Sequence, residues 1–228
     1  MKPATVVLFD FGGTLDADGI HWAPRFYAAY RTVGGSEPYD AFERIFKASD
    51  RTLEGFPRVR QLGFRGLIDE QARLLADTLP DGGALDAPRM ATLFHAEALA
   101  TVARNRPILQ HLASLYTLGV VSNFTGNLEP CLAELGLRAR FRAVVDSTVV
   151  GFSKPDARIF GVALEQLGAT AGQAWMVGDN FETDVRPAAA LGMRTCWLTP
   201  GDRTAPAGPA PTARIASLCD LEDALCTA

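Results

Sequence analysis

Short apolar runs recur along the chain at Thr5 to Asp10, Leu118 to Ser122, Ala143 to Asp146, Ala174 to Gly178, Arg194 to Leu198 and Arg214 to Ser217. Runs of this length that are not interrupted by alternating polar residues predict strands buried on both faces, as in a parallel sheet. Between most of them apolar residues recur three and four apart, the spacing of one helix face. Leu128 to Leu135 and Ala157 to Leu167 are examples, and Gly136 and Gly168 follow them at the position where helices commonly stop. Strand and helix in alternation predict an α/β fold, a parallel sheet with helices on both faces.

Residues from about 17 to 104 break this alternation. They hold no convincing strand, while Trp22 to Val33, Tyr39 to Ala48, Leu67 to Leu79 and Ala87 to Val102 are amphipathic, which predicts a helical insertion after the first strand. Its aromatic residues Trp22, Phe26, Tyr27, Tyr30, Phe42, Phe46, Phe56 and Phe64 fall at helical spacing in several places and predict internal packing. The Pro, Ala and Gly residues between Pro200 and Pro211 predict a surface loop, followed by the last strand and a short helix from Leu221 to Leu225.

The 228 residues, 48% of them hydrophobic, suffice for a sizeable core in one domain with an insertion, or in two small domains. A formal net charge of −4 without a dense Lys/Arg cluster offers no electrostatic footprint for nucleic acid or an anionic membrane. A small polar or anionic metabolite is compatible with it. The longest apolar stretch near the amino terminus is too short for a secretory core or a membrane span, so a cytoplasmic protein is expected. Cys131, Cys196, Cys219 and Cys226 show neither Cys-x-x-Cys spacing nor a nearby His, and are expected to be reduced structural thiols. Lys2, Lys47 and Lys154 are the only lysines, so a lysine inside a motif is less readily filler.

Four of the predicted strand ends or the loops beside them carry polar residues suited to chemistry. Asp10 closes the first run and opens the turn Phe11-Gly12-Gly13-Thr14-Leu15, at the carboxyl end of a strand, where open α/β sheets bind ligands. It is a candidate nucleophile or metal ligand. Ser122-Asn123 closes the second run, where a hydroxyl and nearby backbone N–H groups can hold phosphate oxygens; the ordinary alternative is a turn with a helix cap. Lys154, before a predicted helix, would neutralise charge building between a carboxylate and a phosphoryl group, or else be a solvated charge. Asp179 would project from a strand end and Asp184 from the first turn of the next helix, so that both converge on a hard cation or simply cap that helix.

Taken together and in this order, Asp10 with Thr14, Ser122-Asn123, Lys154-Pro155 and Gly178-Asp179 with Asp184 resemble the haloacid dehalogenase-like hydrolase superfamily. The resemblance implies a Rossmann-like α/β core over residues 1–16 and 105–228, with an inserted all-helical cap over 17–104. It further implies Mg²⁺-dependent hydrolysis of small phosphorylated metabolites through an aspartyl-phosphate on Asp10. Carried onto this chain, the resemblance implies Mg²⁺ held by Asp10, the Gly12 carbonyl and Asp179, with Asp184 aiding directly or through water. Ser122, the backbone around Asn123, and Gly13 bind phosphate; Lys154 steadies nucleophile and phosphate; Thr14 supports the loop. A cap that closes admits small substrates and excludes water. Sugar phosphates, nucleotides, phosphoglycolate-like acids and acyl phosphates all fit such a site.

Gly12 departs from the family's phosphatases, which usually carry there a second aspartate that protonates the leaving oxygen and activates water, work worth about 10² to 10⁴ in rate. Asp16, Asp18 and His21 are the nearby candidates to substitute; His21 has a suitable intrinsic titration range, although a surface histidine at a helix start is its ordinary reading. The dehalogenases of the superfamily also lack the second aspartate, but they act without metal and lack the acidic pair represented by Asp179 and Asp184. A phosphonoacetaldehyde-type hydrolase would use Lys47, the only lysine in the insertion, although its setting reads as an exposed helical charge. A catalytically weak regulatory protein that retained the metal and phosphate cradle is the third alternative. Arg58, Arg60 and Arg65 are expected to be solvated, one of them free to meet a second anionic group of a substrate.

Overall fold

The computed structural model describes the chain except residues 1–3, 202, 205 and 228. In chain order its elements are β1 (Val6–Phe9), α1 (Trp22–Thr32), α2 (Tyr39–Glu54), α3 (Phe64–Thr78), α4 (Ala87–Leu115), β2 (Thr117–Ser122), α5 (Leu128–Glu134), β3 (Ala143–Asp146), α6 (Ser147–Val150), α7 (Ala157–Leu167), β4 (Ala174–Gly178), α8 (Arg186–Ala190), β5 (Arg194–Leu198), β6 (Ala213–Ile215) and α9 (Leu221–Thr227). The strands form one sheet in the order β3-β2-β1-β4-β5-β6, and every pairing is parallel. This is the α/β architecture that the runs predict.

Both faces of the sheet are buried, and the two-residue period of a strand explains how. On β1, Val7 and Phe9 join Val120, Trp175 and Val177 in a cluster continuous with the helices of the insertion. Val6 and Leu8 point the other way, into a second cluster with Val121, Met176, Ile159 and Phe160 of α7. The strand order reverses direction beside β1, between β2 and β4, which is where a doubly wound sheet opens a crevice at its carboxyl edge.

The helices α1 to α4 fill the interval between β1 and β2, with no strand in it. α2 and α4 are longer than their amphipathic patterns predict, ending at Glu54 and Leu115. α4 passes through Pro107 because its buried stripe continues unbroken through Ala91, Phe94, Ala98, Val102, Asn105, Leu109 and Leu112. Burial along that stripe outweighs the backbone bond that proline removes. The expected change of domain at residues 104 and 105 therefore falls inside one helix. The aromatic residues pack as expected, with Phe26 stacked on Phe94 at 4.2 Å and Trp22 edge-on to Phe94 at 5.2 Å. Phe11 of the β1 loop meets Phe64 at 5.9 Å and Phe124 at 5.2 Å, joining the helical segment to the sheet edge. None of the helices among the described residues is long and apolar enough to cross a membrane.

Candidate active site

Because β1 lies between β2 and β4, the residues that close these strands meet at one edge of the sheet. Asp10 follows β1, Ser122 ends β2 and Asp179 follows β4. Asp184 comes from a single π-helical turn, Phe181–Val185, which Asn180 caps by accepting the N–H groups of Glu182 and Thr183. Such turns recur at functional sites because the extra residue re-aims a side chain. Lys154 enters from the loop between α6 and α7.

The Lys154 ammonium bridges two carboxylates, donating to Asp10 Oδ1 at 2.7 Å and to Asp184 Oδ1 at 2.6 Å. Ser122 donates to the same Asp10 oxygen at 2.8 Å, which leaves Oδ2 as the oxygen free of both. Asp184 Oδ2 accepts the Asn180 N–H, and Asp179 Oδ1 accepts the Thr14 hydroxyl at 3.1 Å. Thr14 in turn accepts the Asp179 N–H, so it ties the β1 loop to β4. One oxygen each from Asp10, Asp179 and Asp184 lie within 4.8 Å of one another, and all three residues are buried. Burial alone would lower the Lys154 pKa, but the Asp10 and Asp184 charges outweigh it and push it up. Burial and the neighbouring carboxylates raise Asp179 well above the usual range, and burial raises Asp184. The cluster therefore holds three carboxyl groups against one ammonium, a strained balance that favours a further cation.

The loop after Asp10 is held from below. Gly13 has φ +92°, and a Cβ there would lie 2.6 Å from Asp179 Oδ2, so only glycine fits. Its N–H, expected to serve phosphate, donates instead to Asp16 Oδ1 at 2.7 Å. Asp16 is fully buried, and its Oδ2 also accepts Trp22 Nε1 and Arg25 Nη1, each at 2.8 Å. Asp16 is thus a strut of the loop and lies outside the cavity, a correction to its expected place as an acid/base substitute. Asp18 is likewise occupied, paired with Arg104 and accepting the Leu218 N–H. The Asn123 side chain clasps the Lys154 backbone, accepting its N–H at 2.7 Å and donating to its carbonyl at 2.9 Å. It positions the lysine.

A cavity of about 150 Å³ opens above Asp10, lined on the sheet side by Gly12, Ser122, Asn123 and Lys154. The helical side contributes His21, Trp22, Phe46, Asp50, Leu53 and Glu54. The Trp22 indole lies over Gly12, so that a Cβ at position 12 would meet Nε1 at 3.2 Å. The ring is pinned by Asp16 and by edge contacts to Phe64, Phe94 and Phe124 and cannot easily give. Gly12 is therefore the packing partner of Trp22. His21 caps α1, its Nδ1 accepting the Trp22 N–H at 2.9 Å. Desolvation lowers its pKa, partly offset by Asp10 and Asp16.

Asp50 is, with Glu54, an acidic cavity residue that sequence reasoning missed. It is half-buried, and burial together with the nearby Glu54 pushes its pKa up to about 6. The available signal was an acid on an apolar stripe: Phe46, Asp50, Leu53 and Glu54 share one face of α2. Lys47, by contrast, is exposed, pairs with Glu43 at 3.0 Å and lines a second, larger cavity rather than the one above Asp10. Arg58 pairs with Glu70 and Arg65 with Asp69; neither they nor Arg60 line the Asp10 cavity.

A family model for haloacid dehalogenase-like hydrolases matches residues 4–192, an interval that contains every residue of this cluster. The chain belongs to that family. Among its relatives is the pyrimidine 5'-nucleotidase YjjG of Escherichia coli, 40% identical over 111 residues, 48% of this chain and 49% of that protein. Another is a phosphoserine phosphatase of Thermus thermophilus, 35% identical over 180 residues, 78% of this chain and 63% of that protein. The chain thus matches half to under two thirds of the length of these relatives. Among solved structures, a 2-haloacid dehalogenase from Pseudomonas syringae is similar, with 25% identity, a TM-score of 0.59 and 98% of both chains covered.

Proposed function

We propose that this family member is a Mg²⁺-dependent phosphatase of small phosphorylated metabolites, working through an aspartyl-phosphate on Asp10. The observation that carries this reading is the pair of donors, Ser122 and Lys154, on one oxygen of a buried carboxylate at the carboxyl end of the central strand. They hold Oδ1, so Oδ2 is presented to attack phosphorus. Asp10, Asp179 and Asp184 fit a hard dication, because carboxylate oxygens this close repel one another until a cation joins them. The Gly12 carbonyl is the further ligand in this reading. Bound there, Mg²⁺ would screen the phosphate charge from Asp10.

Asp10 Oδ2 forms a bond to phosphorus while the bond to the leaving oxygen breaks, and water later releases phosphate from Asp10. In this reading Ser122 donates a hydrogen bond to the phosphoryl oxygens and the Lys154 ammonium neutralises their charge, supported by the position of both beside Asp10, while Asn123 fixes the lysine through its backbone. Helices α1 to α3 and the first half of α4 act as a cap that excludes water. The core is then residues 1–16 and 105–228, with the cap over 17–104 and α4 shared between them. The two relatives, a pyrimidine 5'-nucleotidase and a phosphoserine phosphatase, support a small phosphorylated substrate. The four described thiols are all unbonded, in keeping with a reducing, cytoplasmic setting.

Phosphate release from a panel of phosphorylated metabolites, with and without Mg²⁺, tests the reading against Asp10→Asn. The wild type should turn over at least one ester only with the metal, and the variant none. Equal activity in both would refute the mechanism. Metal-independent halide release from 2-haloacids in the same panel would favour a dehalogenase instead.

A further inference from the structure

The proposed reaction lacks a proton donor at position 12, where the Trp22 indole fills the space that a side chain would need. A donor supplied by the protein would come from the titratable groups that line the cavity, which are Asp10, His21, Asp50, Glu54 and Lys154. Asp10 is the nucleophile. Lys154 is held by two carboxylates, and their charges keep its proton in place. His21 carries its neutral proton on Nε2, because Nδ1 accepts the Trp22 N–H; to become an acid it would have to break the cap of α1. Glu54 is exposed at the outer end of the α2 face. Asp50 faces the cavity from the same helix, one turn further in, between Phe46 and Leu53.

We propose that Asp50, delivered from α2, is the general acid and base of this site in place of the side chain that Gly12 lacks. The proposal rests on the phosphatase reading above. As Asp10 Oδ2 bonds to phosphorus and the ester P–O bond breaks, the Asp50 carboxyl gives its proton to the departing oxygen, which leaves as a neutral alcohol. The Asp50 carboxylate then takes a proton from the water whose oxygen attacks the phosphoryl group. The P–O bond to Asp10 breaks, and phosphate, the Asp10 carboxylate and the Asp50 carboxyl are restored. A carboxyl that titrates near pH 6 serves both halves, since each protonation state is accessible at neutral pH. Burial sets this value first, raised further by Glu54 and lowered by Arg51 on its own helix; His21, Asp10 and Lys154 are the titratable groups on the other walls of the cavity.

The test compares single-turnover transfer to Asp10 from an alkyl phosphomonoester and from p-nitrophenyl phosphate, whose leaving group needs little protonation. Asp50→Asn should slow the alkyl ester by about 10²-fold or more and the aryl ester by only a few fold. It should also abolish the pH-rate limb near pH 6, and Asp50→Glu should restore part of the alkyl rate. Equal losses on both esters would show a merely structural or binding role and overturn the proposal, as would an unchanged alkyl rate. A selective loss in His21→Gln rather than Asp50→Asn would overturn it as well. If Asp10→Asn retains turnover, the reaction class itself fails, a result distinct from any outcome at Asp50.

Discussion

Replacing Asp50 with Asn should stabilise the metal-free protein at pH 7.5 and do progressively less as the pH falls to 4. The Asp50 pKa is raised from an ordinary 3.8 to about 6 in the folded protein. A raised carboxyl pKa means that the folded state keeps a proton that the unfolded chain has already released. Stability therefore falls as pH rises from about 4 to about 6, and the full penalty is present above that window. A shift of about two units corresponds to roughly 3 kcal/mol at about 1.4 kcal/mol per unit. Partial solvent access at this half-buried residue reduces that figure to about 1–2 kcal/mol. In a protein of this size that is roughly 2–8 °C in Tm. Urea unfolding at pH 4.5, 5.5, 6.5 and 7.5 reads the difference directly, provided the m-value is unchanged. A stability difference between variant and wild type that is the same at every pH would refute the assignment of a strained carboxyl at Asp50. Retaining such a penalty in a reaction cleft is what a functional acid would require.

Three other outcomes follow from the structure. Lys154→Met removes the ammonium between Asp10 and Asp184, and should destabilise the metal-free protein by about 3–5 kcal/mol, part of it recovered with Mg²⁺; calorimetry with and without the ion checks this. Mg²⁺ at about 100 times its Kd should stabilise the wild type by about 2.7 kcal/mol, with a smaller gain in Asp179→Asn, and an unmoved Tm in the wild type would count against the site. Of the four thiols, exposed Cys219 and Cys226 should react with a thiol reagent in the native protein, while buried Cys131 and Cys196, the latter pushed up to about 12 by burial, should react only on unfolding.

What the sequence determined by itself was whatever repeats within a few residues. The period of apolar positions located every strand of the sheet to within a few residues, because burial on both faces removes polar residues from a strand. Gly136 and Gly168 marked the ends of α5 and α7, because each adopts a left-handed φ, 66° and 64°, that other residues rarely take. Asp10, Ser122 and Asp179 were legible because each stands at a predicted strand end, and Lys154 and Asp184 because each lies in the segment that follows one; strand ends of an open α/β sheet gather at one edge. The tertiary structure alone decided which hydrogen-bonding groups were already engaged. The Gly13 N–H and both oxygens of Asp16 serve the loop, and Asn123 serves the Lys154 backbone, through contacts that no spacing encodes. It also decided that Gly12 is matched to Trp22 and that Asp50 turns toward the cavity. Both depend on how one helix face lies against another part of the fold, and that orientation is set by packing between segments far apart in the chain.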